Sequence, residues 1–172
     1  MIHQPNPSTY GEYFQRYTKL VADAPLQEVL SQETEDSLAF WEAIAPSDTE
    51  QAYAPGKWSL KEMVQHVIDT ECIFQYRALC FARQESKSLP GFDHTRYAEA
   101  SGAQKRNWRD LLEEWRLVRK STRMLFGSFS EQQLAQGGEA NNMKFSVLAL
   151  GYIVCGHEKH HRQVAQEKYL TS

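Results

Sequence analysis

Phe145-Ser146-Val147-Leu148-Ala149-Leu150-Gly151-Tyr152-Ile153-Val154-Cys155 runs directly into Gly156-His157-Glu158-Lys159-His160-His161, and this stretch decides the fold. The first eleven residues carry no charge and keep helical spacing, and the next six hold three of the chain's six histidines. On a helix His157 and His161 stack one turn apart on one face. With His157 set at zero and about 100° per residue, Leu150, Val154 and Val164 fall within about 60° of it and His161 at about 40°. Both imidazoles therefore point the way the core points, while His160 sits on the edge of the stripe at about −60°. A buried neutral imidazole needs a partner for each nitrogen, and two side by side on an apolar face raise a demand that one divalent cation meets. A third ligand must then come from elsewhere in the chain.

Composition narrows the classes. The 172 residues, 41% apolar and 24% charged, suit one globular domain spanning 1–172 with a real core. A net charge of −3 without a basic run argues against nucleic acid or an anionic membrane as partner. Met1 to Tyr10 lacks the charged and apolar regions of a signal peptide, so a cytoplasmic location is expected. Cys72, Cys80 and Cys155 lack CxxC spacing and sit in apolar helical patterns, which reads as buried reduced thiols.

Upstream, residues 1–23 read as an arm whose Tyr10, Tyr13, Phe14 and Tyr17 lie across the main body rather than forming an aromatic ligand platform. Pro25 suits a first helical position, and Leu26, Val29, Leu30, Leu38, Trp41 and Ile44 keep a 3.6-residue period until Pro46. Ser59-Leu60-Lys61-Glu62 reads as a capping box, making Glu62 a cap rather than a catalytic acid. The second helix then runs from about Leu60 to about Arg83, with His66 on a mixed flank shared with Thr70, Ile73 and Arg77. Such a flank suits a cavity wall. His94 lies in a polar connection and reads as solvated. A third helix starts near Gln104, its stripe including Trp108, Leu111 and Trp115 and its wet face including Arg106, Glu113 and Arg119. Ser130 to Ala135 makes a short helical turn, Gly137-Gly138 breaks it, and Ser146 caps a fourth helix from about Val147 to Tyr169. No strand-like alternation is apparent.

Four long amphipathic helices make an all-α four-helix bundle, a fold that builds metal sites from inward-facing side chains on neighbouring helices. The order Tyr53-Ala54-Pro55-Gly56-Lys57-Trp58-Ser59, His66 with Asp69-Thr70-Glu71, Leu89-Pro90-Gly91-Phe92-Asp93 and Gly156-His157-Glu158-Lys159-His160-His161 resembles the DinB-like proteins, including the YfiT-type metal-dependent hydrolases. The resemblance implies that His66, His157 and His161 hold one divalent metal inside the bundle, with His160 outside the ligand set. It also admits hydrolases, transferases and isomerases that use a low-molecular-weight thiol, and members without known activity.

Three neutral histidines leave a coordination position open, where a cation can bring water or a thiol toward deprotonation at neutral pH. All-imidazole ligation suits zinc or nickel, with iron and copper open. The expected activity is metal-dependent hydrolysis of a small molecule through metal-bound water; the alternatives are a thiol-dependent transferase or isomerase and a non-catalytic metal-binding module. No general base stands out. Asp69, near His66, is the candidate outer acceptor for its imidazole, while Glu71 and Glu158 project off their histidines' faces. Arg77, about 16 Å along the helix from His66, either pairs with a carboxylate of a neighbouring helix or receives the acid group of an elongated substrate. The oligomeric state, monomer or homodimer, is open.

Overall fold

Ser59 starts its helix as the sequence predicts: its hydroxyl accepts from the Glu62 N–H at 3.2 Å, and the Glu62 carboxylate accepts from the Ser59 N–H at 2.8 Å. The reciprocal bonds satisfy two donors that a helix start otherwise leaves without partners. The computed structural model describes residues 4–170, so the first three residues of the expected arm and the last two of the chain lie outside it. The helices are α1 (Gln15–Thr18), α2 (Leu26–Glu42), α3 (Leu60–Ala82), α4 (His94–Ala100), α5 (Trp108–Gly127), α6 (Glu131–Ala135) and α7 (Val147–Lys168).

Four of them, α2, α3, α5 and α7, close a ring in which α3 packs on α5 and α7, and α2 packs on the same two. Contacts fix the directions. Glu71 meets Arg119 while Gln75, one turn later, meets Thr122, so α3 and α5 run parallel. Ser37 meets Glu158, and the Tyr152 hydroxyl reaches Ala24 O just ahead of α2, so α2 and α7 also run parallel. The course along the chain is up, down, down, up. Parallel neighbours cannot be joined by a tight turn, and the α3–α5 link must return the length of the bundle through residues 83–107.

Two apolar clusters fill the ring. One includes Phe14, Leu30, Phe74, Phe81, Phe126 and Phe145; the other includes Trp41, Leu60, Val64, Trp108, Leu111 and Trp115. Between them, at mid-length of all four helices, lies a buried polar layer. Arg119, fully buried, donates to both Glu71 oxygens at 2.8 and 2.9 Å, and Thr122 Oγ1 donates to Glu71 at 2.6 Å. Glu158, also fully buried, accepts from Ser37 at 2.5 Å, Trp41 Nε1 at 2.8 Å and Arg162 Nε at 3.0 Å. His66, Thr70, His157 and His161 stand in the same layer.

Several expectations change. Arg119 is not on a wet face, because α5 turns it into the ring where Glu71 neutralises it. The third long helix starts at Trp108, since the Asn107 side chain accepts from the Arg109 N–H and caps it there; residues 103–105 form a separate 3-10 turn. His94 opens α4, capped by the Asp93 side chain, which accepts from the Thr95 and Arg96 N–H groups. Among the described residues there are two strands, β1 (Gly137–Ala140) and β2 (Met143–Ser146), paired antiparallel. Their two-residue turn, Asn141-Asn142, has φ of 52° and 58°, the left-handed conformation that asparagine tolerates and that a tight hairpin requires. Among the cysteines, all of them free, only Cys155 is fully buried; Cys72 is exposed. No described helix is long and apolar enough to cross a membrane.

Candidate metal centre

The 3.6-residue period and the α3–α7 seam bring His66, His157 and His161 together. Nε2 of His66 and Nε2 of His161 each lie 3.1 Å from Nε2 of His157, and donor atoms of the three rings fall within 4.8 Å of one another. His66 and His157 are each 7% exposed, so water cannot satisfy these nitrogens freely. Burial pushes the pKa of His66 down to about 4, helped by the nearby His94. Burial, and then the neighbouring imidazoles, hold His157 and His161 well below the ordinary histidine value.

The donor set fits a cation. A neutral imidazole nitrogen offers one N–H or one in-plane lone pair, so His157 Nε2 cannot form good hydrogen bonds to both neighbours. Three lone pairs turned on one ion remove that conflict. Ligand nitrogens about 2.1 Å from a metal stand roughly 3 to 3.4 Å apart, which brackets the two 3.1 Å separations.

The outer support differs from expectation. Asp69 accepts from Gln65 Nε2 at 2.9 Å, one turn back on its own helix, and so serves α3 rather than the His66 ring. His161 Nδ1 is buried with no partner among the described residues. Ring contacts orient the cluster instead: Trp58 lies 4.9 Å from the His66 ring and Tyr17 stands edge-on to His157 at 5.2 Å.

The cluster forms the floor of a cavity of about 480 Å³. α3 contributes Thr70, Phe74 and Arg77; the α3–α5 link contributes Phe92 and His94; the hairpin contributes Asn141 and Met143. Ile73, expected on this wall, packs instead against the first apolar cluster. His160, the edge residue of the wheel, lines the cavity while standing apart from the three converging nitrogens.

The arm is part of the site. Tyr10, Phe14 and Tyr17 are buried in the first cluster as a packed arm should be, yet Tyr13, Phe14, Arg16 and Tyr17 also line the cavity. Gly156 makes this possible, because a Cβ there would lie 2.0 Å from the Tyr17 carbonyl oxygen. Sequence reading missed Arg16, His94, Asn141 and Met143 as lining residues. The Asp93 cap and the Asn141-Asn142 pair could have located the last three near defined turns, but no local pattern indicates which turns face the histidines.

Fold and site together define a class: a four-helix bundle with three converging histidines at the floor of an open cavity. Residues 30–165 match the DinB superfamily, and the chain belongs to it. Among solved structures, the chain is similar to YfiT from Bacillus subtilis, described as a probable metal-dependent hydrolase with an unusual four-helix bundle topology. The TM-score is 0.69 at 14% identity, over 95% of this chain and 92% of that one, a likeness that establishes the fold. Among curated proteins, none matches the chain.

Proposed function

We propose that the chain holds one divalent metal ion, zinc or nickel, through His66, His157 and His161, and that it hydrolyses a small molecule at that site. The observation that carries this reading is the convergence of three neutral imidazole nitrogens, two from buried rings and one from the half-buried His161, on the floor of a cavity large enough for a substrate. A cation held by three imidazoles keeps a position open and lowers the pKa of a water bound there toward neutrality. The chain's own residues do the remainder. Trp58 and Tyr17 set the planes of two ligands, and Phe14, Phe74 and Phe92 give the substrate apolar walls that limit water. Among the described residues the cavity lining contains no Asp or Glu, which leaves His94 and His160 to move protons. His94 lies 5.9 Å from the His66 ring, centroid to centroid, at the exposed edge of the cavity.

The same acid-free lining favours a second reading, a thiol-dependent transferase or isomerase. A thiolate nucleophile needs no carboxylate base, and a cationic cavity stabilises it.

Metal analysis of alanine variants tests the site, and turnover separates the reactions. His66→Ala, His157→Ala and His161→Ala should each lose most bound metal, and His160→Ala should retain it; equal loss from His160→Ala refutes the ligand assignment. Turnover of an ester panel without added thiol supports hydrolysis. Turnover of an electrophile only when a thiol is supplied supports the second reading instead.

A further inference from the structure

Arg77 is a buried cation with no acid beside it among the described residues. It is 4% exposed, and burial lowers its pKa from the ordinary arginine value, yet a guanidinium keeps its charge. Among the described residues it makes one hydrogen bond, from Nη2 to the Pro90 carbonyl at 3.0 Å. One neutral carbonyl does not compensate a desolvated cation. The guanidinium is held in place by two rings, Phe74 at 5.5 Å and Phe92 at 5.9 Å. A second orphan stands between it and the histidines: Thr70 Oγ1 is buried without a partner and borders the same cavity. His66, Thr70 and Arg77 lie at 0°, about 40° and about 20° on the α3 wheel, a single row about 16 Å long.

The charge balance of the cavity points the same way. Among the described residues, Arg16, Arg77 and five histidines line it and no carboxylate does, in a chain whose net charge is −3. Arg16 is exposed, so water screens it, and its Nη2 already engages the Tyr13 and Tyr17 hydroxyls. Of the two arginines, Arg77 is the one whose side chain is buried while donors are left over toward the cavity.

We infer that Arg77 is the recognition site for the acid group of the substrate, and that the substrate class is a small organic carboxylate with an apolar or aromatic body. The carboxylate takes the free guanidinium donors, the body lies along Phe74 and Phe92, and Thr70 Oγ1 donates to a polar atom in mid-molecule. Placing the reactive end at the histidines rests on the metal reading above; the acid end rests on Arg77 alone.

The test is titration calorimetry on the protein as purified, its metal content measured in the same samples, with 3-phenylpropionate and its uncharged analogue 3-phenylpropionamide as probes. Wild type should prefer the carboxylate by about tenfold or more, as a charge-assisted contact in a dry site does. Arg77→Gln, which keeps a donor for Pro90 O but no charge, should lose that preference with metal content and melting temperature close to wild type. A wild type that binds the two probes equally overturns the inference whether or not the variants fold. So does an Arg77→Gln or Arg77→Met protein that folds and keeps the preference, since the metal would then be holding the acid. Substoichiometric metal with the preference intact would sink the metal reading and leave the acid site standing.

Discussion

Gly156→Ala sets two well-characterised effects against each other. Alanine is the better helix former by about 0.8 to 1 kcal/mol at an interior position, and Gly156 lies well inside α7. Propensity alone therefore predicts a more stable protein. The tertiary structure predicts the opposite, because the added methyl would stand 2.0 Å from Tyr17 O, 2.4 Å from its carbonyl carbon and 3.0 Å from its Cα. These are backbone atoms, which no rotamer change can move aside. Separating them to even about 3 Å requires α1 to lift by about 1 Å, and overpacking of this kind costs about 1 to 3 kcal/mol. The lift also unseats Tyr10, Phe14 and Tyr17, each under 10% exposed. Sterics win, with a net loss of up to about 2 kcal/mol. Urea unfolding gives the stability, and limited trypsin digestion at Arg16 and Lys19 shows whether the arm has lifted. Metal content should fall only in part, since the three histidines sit on α3 and α7 while Tyr17, which stands edge-on to His157, moves with α1. A variant at least as stable as wild type, with the arm still protected, would show that the close approach of α1 is not what requires glycine at this position.

Two further outcomes follow from the buried layer. Metal-free protein should lose stability as pH falls from about 6.5 to about 4: His66 stays neutral in the fold down to about 4, while the unfolded chain takes up its proton near 6.5. His66 alone contributes on the order of 3 kcal/mol across that window, His157 and His161 act in the same direction, and bound metal should be released over the same range. Urea midpoints that stay flat from pH 7 to 5 in a chelating buffer would contradict this. Glu71→Gln strands the fully buried Arg119 charge and should cost about 3 to 5 kcal/mol, whereas Glu71→Met combined with Arg119→Met should recover much of that loss. A midpoint for Glu71→Gln within about 1 kcal/mol of wild type would mean the pair is not essential to the layer.

The four long helices and the caps of two of them were legible because they depend on local chemistry. Ser59 with Glu62, Ser146 before Val147 and the period of the apolar residues act within one or two turns, and short-range physics is written in short-range sequence. The convergence of His157 and His161 was legible for the same reason: four residues apart on a helix is one face wherever the helix goes. His66 stood on a mixed flank with nothing local to single it out; the demand of the α7 pair for a third ligand pointed to it, and the resemblance to the DinB-like proteins supported it. What escaped depends on which element lies opposite. Arg119 looks like its charged neighbours until α3 places Glu71 against it. Asp69 and Gln65 are a helical turn apart, and that local bond takes the carboxylate expected at His66. Arg16, His94 and Asn141 come from three separate pieces, α1, α4 and the hairpin turn, and only the parallel pairing of α3 with α5, with its long return link, and the seat that Gly156 leaves for Tyr17 bring them around one cavity. Local sequence determined the helices and the facing pair of histidines. The tertiary structure decided the cavity and the uncompensated charge of Arg77, because whether a cation is satisfied depends on every chain segment that reaches it.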